Sequence, residues 1–386
     1  MKPFQFLVLC VVGLLLVGCS KSNDAVNLPQ VNASSVRQDR PVTDADFAFK
    51  LSISKAATAD ITVDYATQDA SAIAGTDYVA TSGTATIPAG SLSTFVNVSV
   101  KGDSLRKTDQ YFTLNFSNPK NGTMAVSQVL GSIINSNGLK LIVDNTGYST
   151  PDSYANYTLA WSDEFDGQTI KSSNWTYDIG NNGWGNHELE NYTDRSQNSF
   201  VSHGNLIIEA RAEVFGGSNY TSARMLTRAK RTFKYGRVDI RAKLPTGQGI
   251  WPALWMLGSN IGTVGWPVCG EIDMMEMIGN GPNKVYGTLH WGTPGHASYG
   301  QNYTLSTGIF NDQFHVFSMV WDANNIKLYV DDNLYFTMDS SSNALPFNNE
   351  FFFIFNVAVG GDWPGSPDGT TQFPQRLIVD YVRVFQ

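Results

Sequence analysis

Cysteine is almost missing from this 386-residue chain, which carries only Cys10, Cys19 and Cys269. Two of the three stand in the first twenty residues, so removal of a leader leaves no internal disulfide framework. Charge is scarce as well, at 16% of residues against about 25% in an average soluble protein. The net charge of −8 and the pI near 5.1 exclude a nucleic-acid or anionic-membrane binder that works through basic patches. His187, His203, His296 and His315 show no metal-ligand spacing, so no cofactor is expected in catalysis. No segment has convincing helical length, which sets aside coiled coils and helical repeats. The apolar run Phe6–Val17 falls short of the about 20 residues a membrane-spanning helix needs. Tryptophan is absent from the first 160 residues, and all nine lie between Trp161 and Trp363. What is abundant is aromatic residues, at 12%, and glycine, with 35, which together favour many short strands joined by glycine turns. The length suits two or three domains, at about 150 residues each.

Lys2 followed by the short apolar run reads as an export signal. Leu16-Val17-Gly18-Cys19 resembles a bacterial lipobox, with Ser20-Lys21-Ser22-Asn23 as the polar tether that follows. The resemblance implies removal of residues 1–18, acylation of Cys19, and an exported lipoprotein at the outer membrane or cell surface, with residues 19–39 as tether. The alternative is an ordinary cleaved signal with a coincidental cysteine.

Residues 40–137 are rich in Thr, Ser, Ala and Val, with strands such as Ile61-Thr62-Val63-Asp64-Tyr65 and Phe95-Val96-Asn97-Val98-Ser99-Val100. Period-two alternation and turns at Gly75-Thr76-Asp77, Pro88-Ala89-Gly90 and Asn118-Pro119 suit an immunoglobulin-like sandwich. The run from Val63-Asp64-Tyr65 through Ala74-Gly75-Thr76-Asp77-Tyr78 and Gly102-Asp103 to Phe112-Thr113-Leu114 resembles a Calx-β domain. Lys107 and Gln110 replace acids common in the calcium-binding members, which favours a spacer or adhesive module. Residues 138–157 read as a connector able to dock on either neighbour. From 158 to 386 strands dominate, and a two-sheet sandwich with one face free for a cleft is expected.

The segment Gly270-Glu271-Ile272-Asp273-Met274-Met275-Glu276 carries the chemistry. On a strand, Glu271 and Asp273 share one face. Glu276 falls on the other face unless a β-bulge at Met274 or Met275 returns it to theirs. Three crowded carboxyls cannot ionise independently, so one stays an acid while another is a charged nucleophile, as glycoside hydrolysis requires. The competing readings are an acidic edge strand in solvent and a calcium cluster. Aromatic flanks, Trp251-Pro252-Ala253-Leu254-Trp255 before and His290-Trp291 after, favour a glycan cleft.

With these residues the block from Trp161 to Gln386 resembles a family 16 glycoside hydrolase of the laminarinase-like, endo-β-1,3-glucanase branch. Glu271-Ile272-Asp273-Met274-Met275-Glu276 matches its bulged Glu-x-Asp-x-x-Glu signature. Further matches are Trp161-Ser162-Asp163-Glu164-Phe165-Asp166-Gly167, Gly183-Trp184-Gly185-Asn186, Asn356-Val357-Ala358-Val359-Gly360-Gly361 and Asp380-Tyr381-Val382-Arg383-Val384. The resemblance implies an all-β chain whose catalytic part is a β-jelly-roll with a concave cleft. It makes Glu271 the nucleophile, Glu276 the acid/base and Asp273 the residue between them. It also places Asn186, Arg241, Trp251 and Trp255 on the glycone side and His290 nearer the aglycone. The competing reading of Arg241 is a surface salt-bridge ladder with Asp239 and Lys243, and that of His290 a packed core histidine. A structural calcium would sit on the carbonyls of Glu164 and Gly204 and the carboxylate of Asp380. The expected activity is retaining endo-hydrolysis of laminarin-type β-glucan by a monomer held to the membrane by its lipid. Mixed-linkage glucan, agar or carrageenan are the alternatives on the same fold. Non-catalytic glycan capture and a purely adhesive role are the alternatives of another kind.

Overall fold

The computed structural model describes residues 28–105, 107, 109–135, 140–292 and 295–386. The leader and Cys19 lie outside the described residues. The chain forms two compact units, and its regular secondary structure is almost entirely strand.

The N-terminal strands make two sheets. One runs in the order Ser93–Val100, Ala45–Ser52, Gln30–Ala33, Thr123–Met124, and the other Val36–Asp39, Gln128–Ile134, Gln110–Lys120, Ile61–Gln68, Ser82–Ile87. Their inward positions are the alternating apolar ones, Phe47, Phe49 and Leu51 on one strand and Phe112, Leu114 and Phe116 on another, all buried. Residues 30–39, expected as tether, therefore include two strands, because Val31 is fully buried. Lys107, one of the residues standing in place of an acid, pairs with Asp103 at 3.1 Å.

The C-terminal unit is a sandwich of a ten-stranded and a seven-stranded sheet. The seven-stranded sheet carries the chemistry, and its strands are labelled here β1 (Thr176–Asp178), β2 (Arg224–Leu226), β3 (Ile250–Gly258), β4 (Glu271–Glu276), β5 (Lys284–Trp291), β6 (Ala297–Thr304) and β7 (Phe351–Val359). Their spatial order is β1-β2-β7-β3-β4-β5-β6. All nine residues of β7 are buried, as its apolar run, broken only by Asn356, demands of a central strand. The core lies between the sheets, where Met256, Ile272, Met274 and Met275 meet Val238, Ile240, Phe317 and Met319 of the ten-stranded sheet. Gly270, just before β4, has φ +84°, and a Cβ there would lie 2.7 Å from Pro346, so only glycine fits the entry to the acidic strand.

The connector is bound to the outer face of the ten-stranded sheet. Thr146 and Phe314 pair through their backbones, the Thr150 amide donates to Tyr381 Oη at 2.8 Å, and Tyr154 Oη donates to Asp239 at 2.7 Å. Arg241 is central to this seam: it donates to the carbonyls of Tyr148 and Asn145 and to Asp380 at 2.7 Å, with its guanidinium over the Phe314 ring. Arg241 is thus not a cleft residue, which corrects its expected place on the glycone side. Its strand, Gly236–Lys243, belongs to the sheet opposite the acids, and the charged face of that strand is there to hold the chain's own connector.

Candidate active site

The acidic strand carries the bulge that its residue count requires. Against β3, Glu276 stands opposite Ala253 and Met275 opposite Leu254, while Asp273 stands opposite Trp255, so Met274 is the extra residue. Against β5, Asp273 pairs with Thr288 and Glu276 with Tyr286, three residues on one strand against two on the other. Ile272, Met274 and Met275 all go into the core, and the three acids are left on the opposite face.

Each acid has an aromatic or imidazole neighbour. Trp266 Nε1 donates to Glu271 Oε2 at 3.0 Å, and Trp251 Nε1 donates to Glu276 Oε1 at 3.0 Å. His290 Nε2 lies 3.3 Å from Asp273 Oδ2 and 3.8 Å from Glu271 Oε1, and His290 Nδ1 meets His296 Nε2 at 2.7 Å. His290 is therefore a site residue rather than a core histidine.

Burial raises the proton affinity of all three carboxyls. Glu271 is held well above the usual carboxylate range, first by burial and then by the charge of Asp273. Asp273, only 3% exposed, is raised by burial and by Glu276. Burial pushes Glu276 up to about 7, against the opposing pull of the Trp251 N–H and His290. The cluster thus keeps at least one proton near neutrality and titrates as a unit.

On the β7 side of the acids, Trp255 Nε1 donates to Asn356 Oδ1 at 2.8 Å, and the Arg224 guanidinium bridges the Trp255 and Trp184 rings, 4.7 and 4.9 Å from their centroids. Asn186 is half-buried, and its carbonyl accepts the Asp362 amide at 2.8 Å. Beyond Glu276, Trp363 stands edge-on to Trp251 and to Tyr286, with centroids 5.4 and 5.0 Å away, and is 41% exposed. The structure thus brings Glu271, Asp273, Glu276, Trp251, Trp255 and His290 together. Sequence reasoning missed Trp266, His296, Asn356 and Trp363. Trp266 sits five residues before Glu271 on a loop whose course has no periodic signal, and Asn356 is one polar residue in an apolar strand, which is the signal that could have found it.

Glu271, Asp273 and His290 present ligand atoms within 4.8 Å of one another, the one such grouping among the described residues. Pairing of Leu206 with Val379 and of Asp163 with Val382 brings Gly204 and Glu164 to the same corner as Asp380. That corner offers oxygen donors, and the neighbouring Asn205 Oδ1 is buried without a hydrogen-bond partner, so the residues fit a hard cation.

Three crowded carboxyls on one face of a β-sandwich, two of them bonded to indole N–H groups, suit a glycoside hydrolase. Residues 186–383 match the model of glycosyl hydrolases family 16, and residues 30–140 match the Calx-beta domain. The chain belongs to glycosyl hydrolases family 16. It is 41% identical over 256 residues to a beta-glucanase of Rhodothermus marinus, covering 62% of this chain and 89% of that one. It is 36% identical to a glucan endo-1,3-beta-glucosidase of Cryptopygus antarcticus, covering 59% and 91%. Among solved structures, the laminarinase catalytic domain of Thermotoga maritima matches with a TM-score of 0.57 and 50% identity, covering 60% of this chain and 98% of that one.

Proposed function

We propose that the chain hydrolyses internal β-1,3-glucosidic bonds of laminarin-type glucans with retention at the anomeric carbon. The observation that carries this is the bulged strand, which puts Glu271 and Glu276 on one face with Asp273 between them. The relatives named as glucanases and laminarinases supply the substrate class.

In the first step a Glu271 oxygen bonds to the anomeric carbon as the glycosidic C–O bond breaks, and Glu276 gives its proton to the departing oxygen. In the second, Glu276 takes a proton from water, the water oxygen bonds to the same carbon, and Glu271 leaves as a carboxylate. Trp266 and His290 favour the ionised form of Glu271, while Asp273 disfavours it and keeps a proton within the cluster. The Trp251 and Trp255 indoles offer apolar faces to the sugar rings, and Asn186 an amide to their hydroxyls.

Product analysis of the chain from residue 20 onward on laminarin, lichenan, agarose and carrageenan, with Glu271→Ser as blank, tests this. Short oligosaccharides from laminarin, absent with the variant, are expected. Products from a galactan alone would keep the mechanism and overturn the specificity, and binding without cleavage would make the protein a glycan-capture module.

We further propose export with acylation of Cys19, checked by mass spectrometry of the mature N-terminus. A monomer with a structural calcium held by Glu164, Gly204 and Asp380 completes the reading. The ion would brace the corner of the ten-stranded sheet and take no part in the chemistry.

A further inference from the structure

A second pair of carboxyl groups lies outside the catalytic strand. Glu190 is 0% exposed and Glu188 only 8%, and the Glu188 carboxyl is the neighbour whose charge and hydrogen bonding raise the proton affinity of Glu190. Two carboxylates cannot hydrogen-bond each other, because each only accepts, so a bond between them requires that one carry a proton. Their other partners decide which. Glu188 accepts from Asn186 Nδ2 at 3.0 Å through Oε1 and from Tyr192 Oη at 2.9 Å through Oε2. Glu190 accepts the Val359 amide at 2.6 Å through Oε2, and its Oε1 is buried with no donor. A buried acceptor without a donor is costly, whereas the same oxygen carrying a proton has Glu188 to donate to.

From Glu188 the contacts run two ways. One reaches the Asn186 amide, fixing its nitrogen inward and leaving Oδ1 for a sugar hydroxyl. The other passes through Tyr192 Oη, which accepts from Asn356 Nδ2 at 3.0 Å, to the Asn356 oxygen that holds Trp255. The titratable group facing the pair is Tyr192 on the strand of Glu190, and Arg224 on β2, whose guanidinium is paired with Asp178 at 3.0 Å, acts on Tyr192.

We propose that Glu190 is a positioning residue for sugar binding: its protonated carboxyl donates through Oε1 to Glu188 and so holds Asn186 and Trp255 in one arrangement. Burial, reinforced by the charge of Glu188, keeps the Glu190 proton on well above the usual carboxylate range. The role assigned to Asn186 and Trp255 rests on the glucanase reading, whereas the location of the proton does not.

The test has two arms, both on the whole chain. Carbon-13 NMR with glutamate labelled at the side-chain carboxyl, compared with Glu190→Gln, reads the protonation of Glu190 with no substrate present. A neutral carboxyl through about pH 7 is expected, and an ionised one at about pH 6 overturns the proposal. In the second arm, laminarihexaose affinity is measured in the Glu271→Ser background. Glu190→Gln keeps a donor and should bind within about twofold of its parent, whereas Glu190→Leu should bind about tenfold more weakly, as for one lost bond to a charged group. Affinity should also fall as Glu190 ionises at alkaline pH in the parent but not in Glu190→Gln. Equal affinities for the two variants overturn the proposal. If the leucine variant does not fold, the NMR arm and the glutamine variant's pH profile still decide. A protein that neither cleaves nor binds laminarin but shows a neutral Glu190 would fail the glucanase reading alone.

Discussion

Replacing Trp251 by phenylalanine isolates a single hydrogen bond at Glu276. Glu276 sits at about 7 because burial raises it while the indole N–H, 3.0 Å from Oε1, pulls it down. Phenylalanine keeps an aromatic ring but donates nothing, so the ionised form loses its partner and the carboxyl holds its proton to higher pH. A hydrogen bond to a charged group is worth about 1.5 kcal/mol at the low end, which at about 1.36 kcal/mol per pH unit is a rise of about one unit. With Glu276 as the proposed acid, protonated to release the leaving group, the alkaline limb of kcat/KM on laminarin, expected near 7, should move up by about one unit in Trp251→Phe. The assay is a set of initial rates across the neutral range, with the parent chain beside it. A limb that stays in place, or moves toward acid, refutes the reasoning. A uniform fall in rate with an unmoved limb would mean that Trp251 only stacks on sugar.

Trp266→Phe should act in the same sense on the other carboxyl: Glu271 loses the donor to Oε2, its ionised form becomes harder to reach, and the acid limb of the pH profile moves to higher pH with lower kcat. Arg241→Leu should leave kcat/KM unchanged but lower stability, since it strands Asp380 and two connector carbonyls. Breaking a buried pair costs about 3–5 kcal/mol, and at about 2–4 °C per kcal/mol in a domain of this size calorimetry should show Tm lower by about ten degrees. Stability should also depend on pH through Glu190. The folded chain keeps a proton that the unfolded chain gives up above its ordinary value of 4.5, so this group's contribution falls as pH rises from there. Glu190→Gln lacks that decline, and urea midpoints at mildly acidic and mildly alkaline pH should show its stability gaining on the parent's. An unchanged difference between the two would refute it.

The acidic strand was legible because its arithmetic is local: Glu271 and Asp273 two apart, Glu276 five from the first, and apolar residues between them that have only a core to enter. Arg241 was misread because its sequence neighbours, Asp239 and Lys243, mark a charged face without saying what covers it. Its true partners stand at Asn145, Tyr148 and Asp380, roughly a hundred residues or more away. Trp266 escaped because a loop has no period, and the Glu188–Glu190 pair because two acids at even spacing look like any solvated strand until burial is known. The strands within 30–39 were missed because so short a segment offers too few alternations to separate strand from tether.

The bulge at Met274 makes the catalytic centre a matter of counting as much as of chemistry. Deleting that one methionine would take nothing from the list of reactive groups and would straighten the strand, leaving Glu271, Asp273 and Glu276 at even spacing on one face. Straightening the strand with both methionines kept would instead turn Glu276 into the interior and Met275 toward the sugar. Exchange of one apolar side chain for another at this point is a small perturbation to packing, whereas loss of the bulge without loss of its extra residue changes which side of the sheet can hold a proton. The six residues can thus present three acids to one face only because the strand hides one methionine from the count.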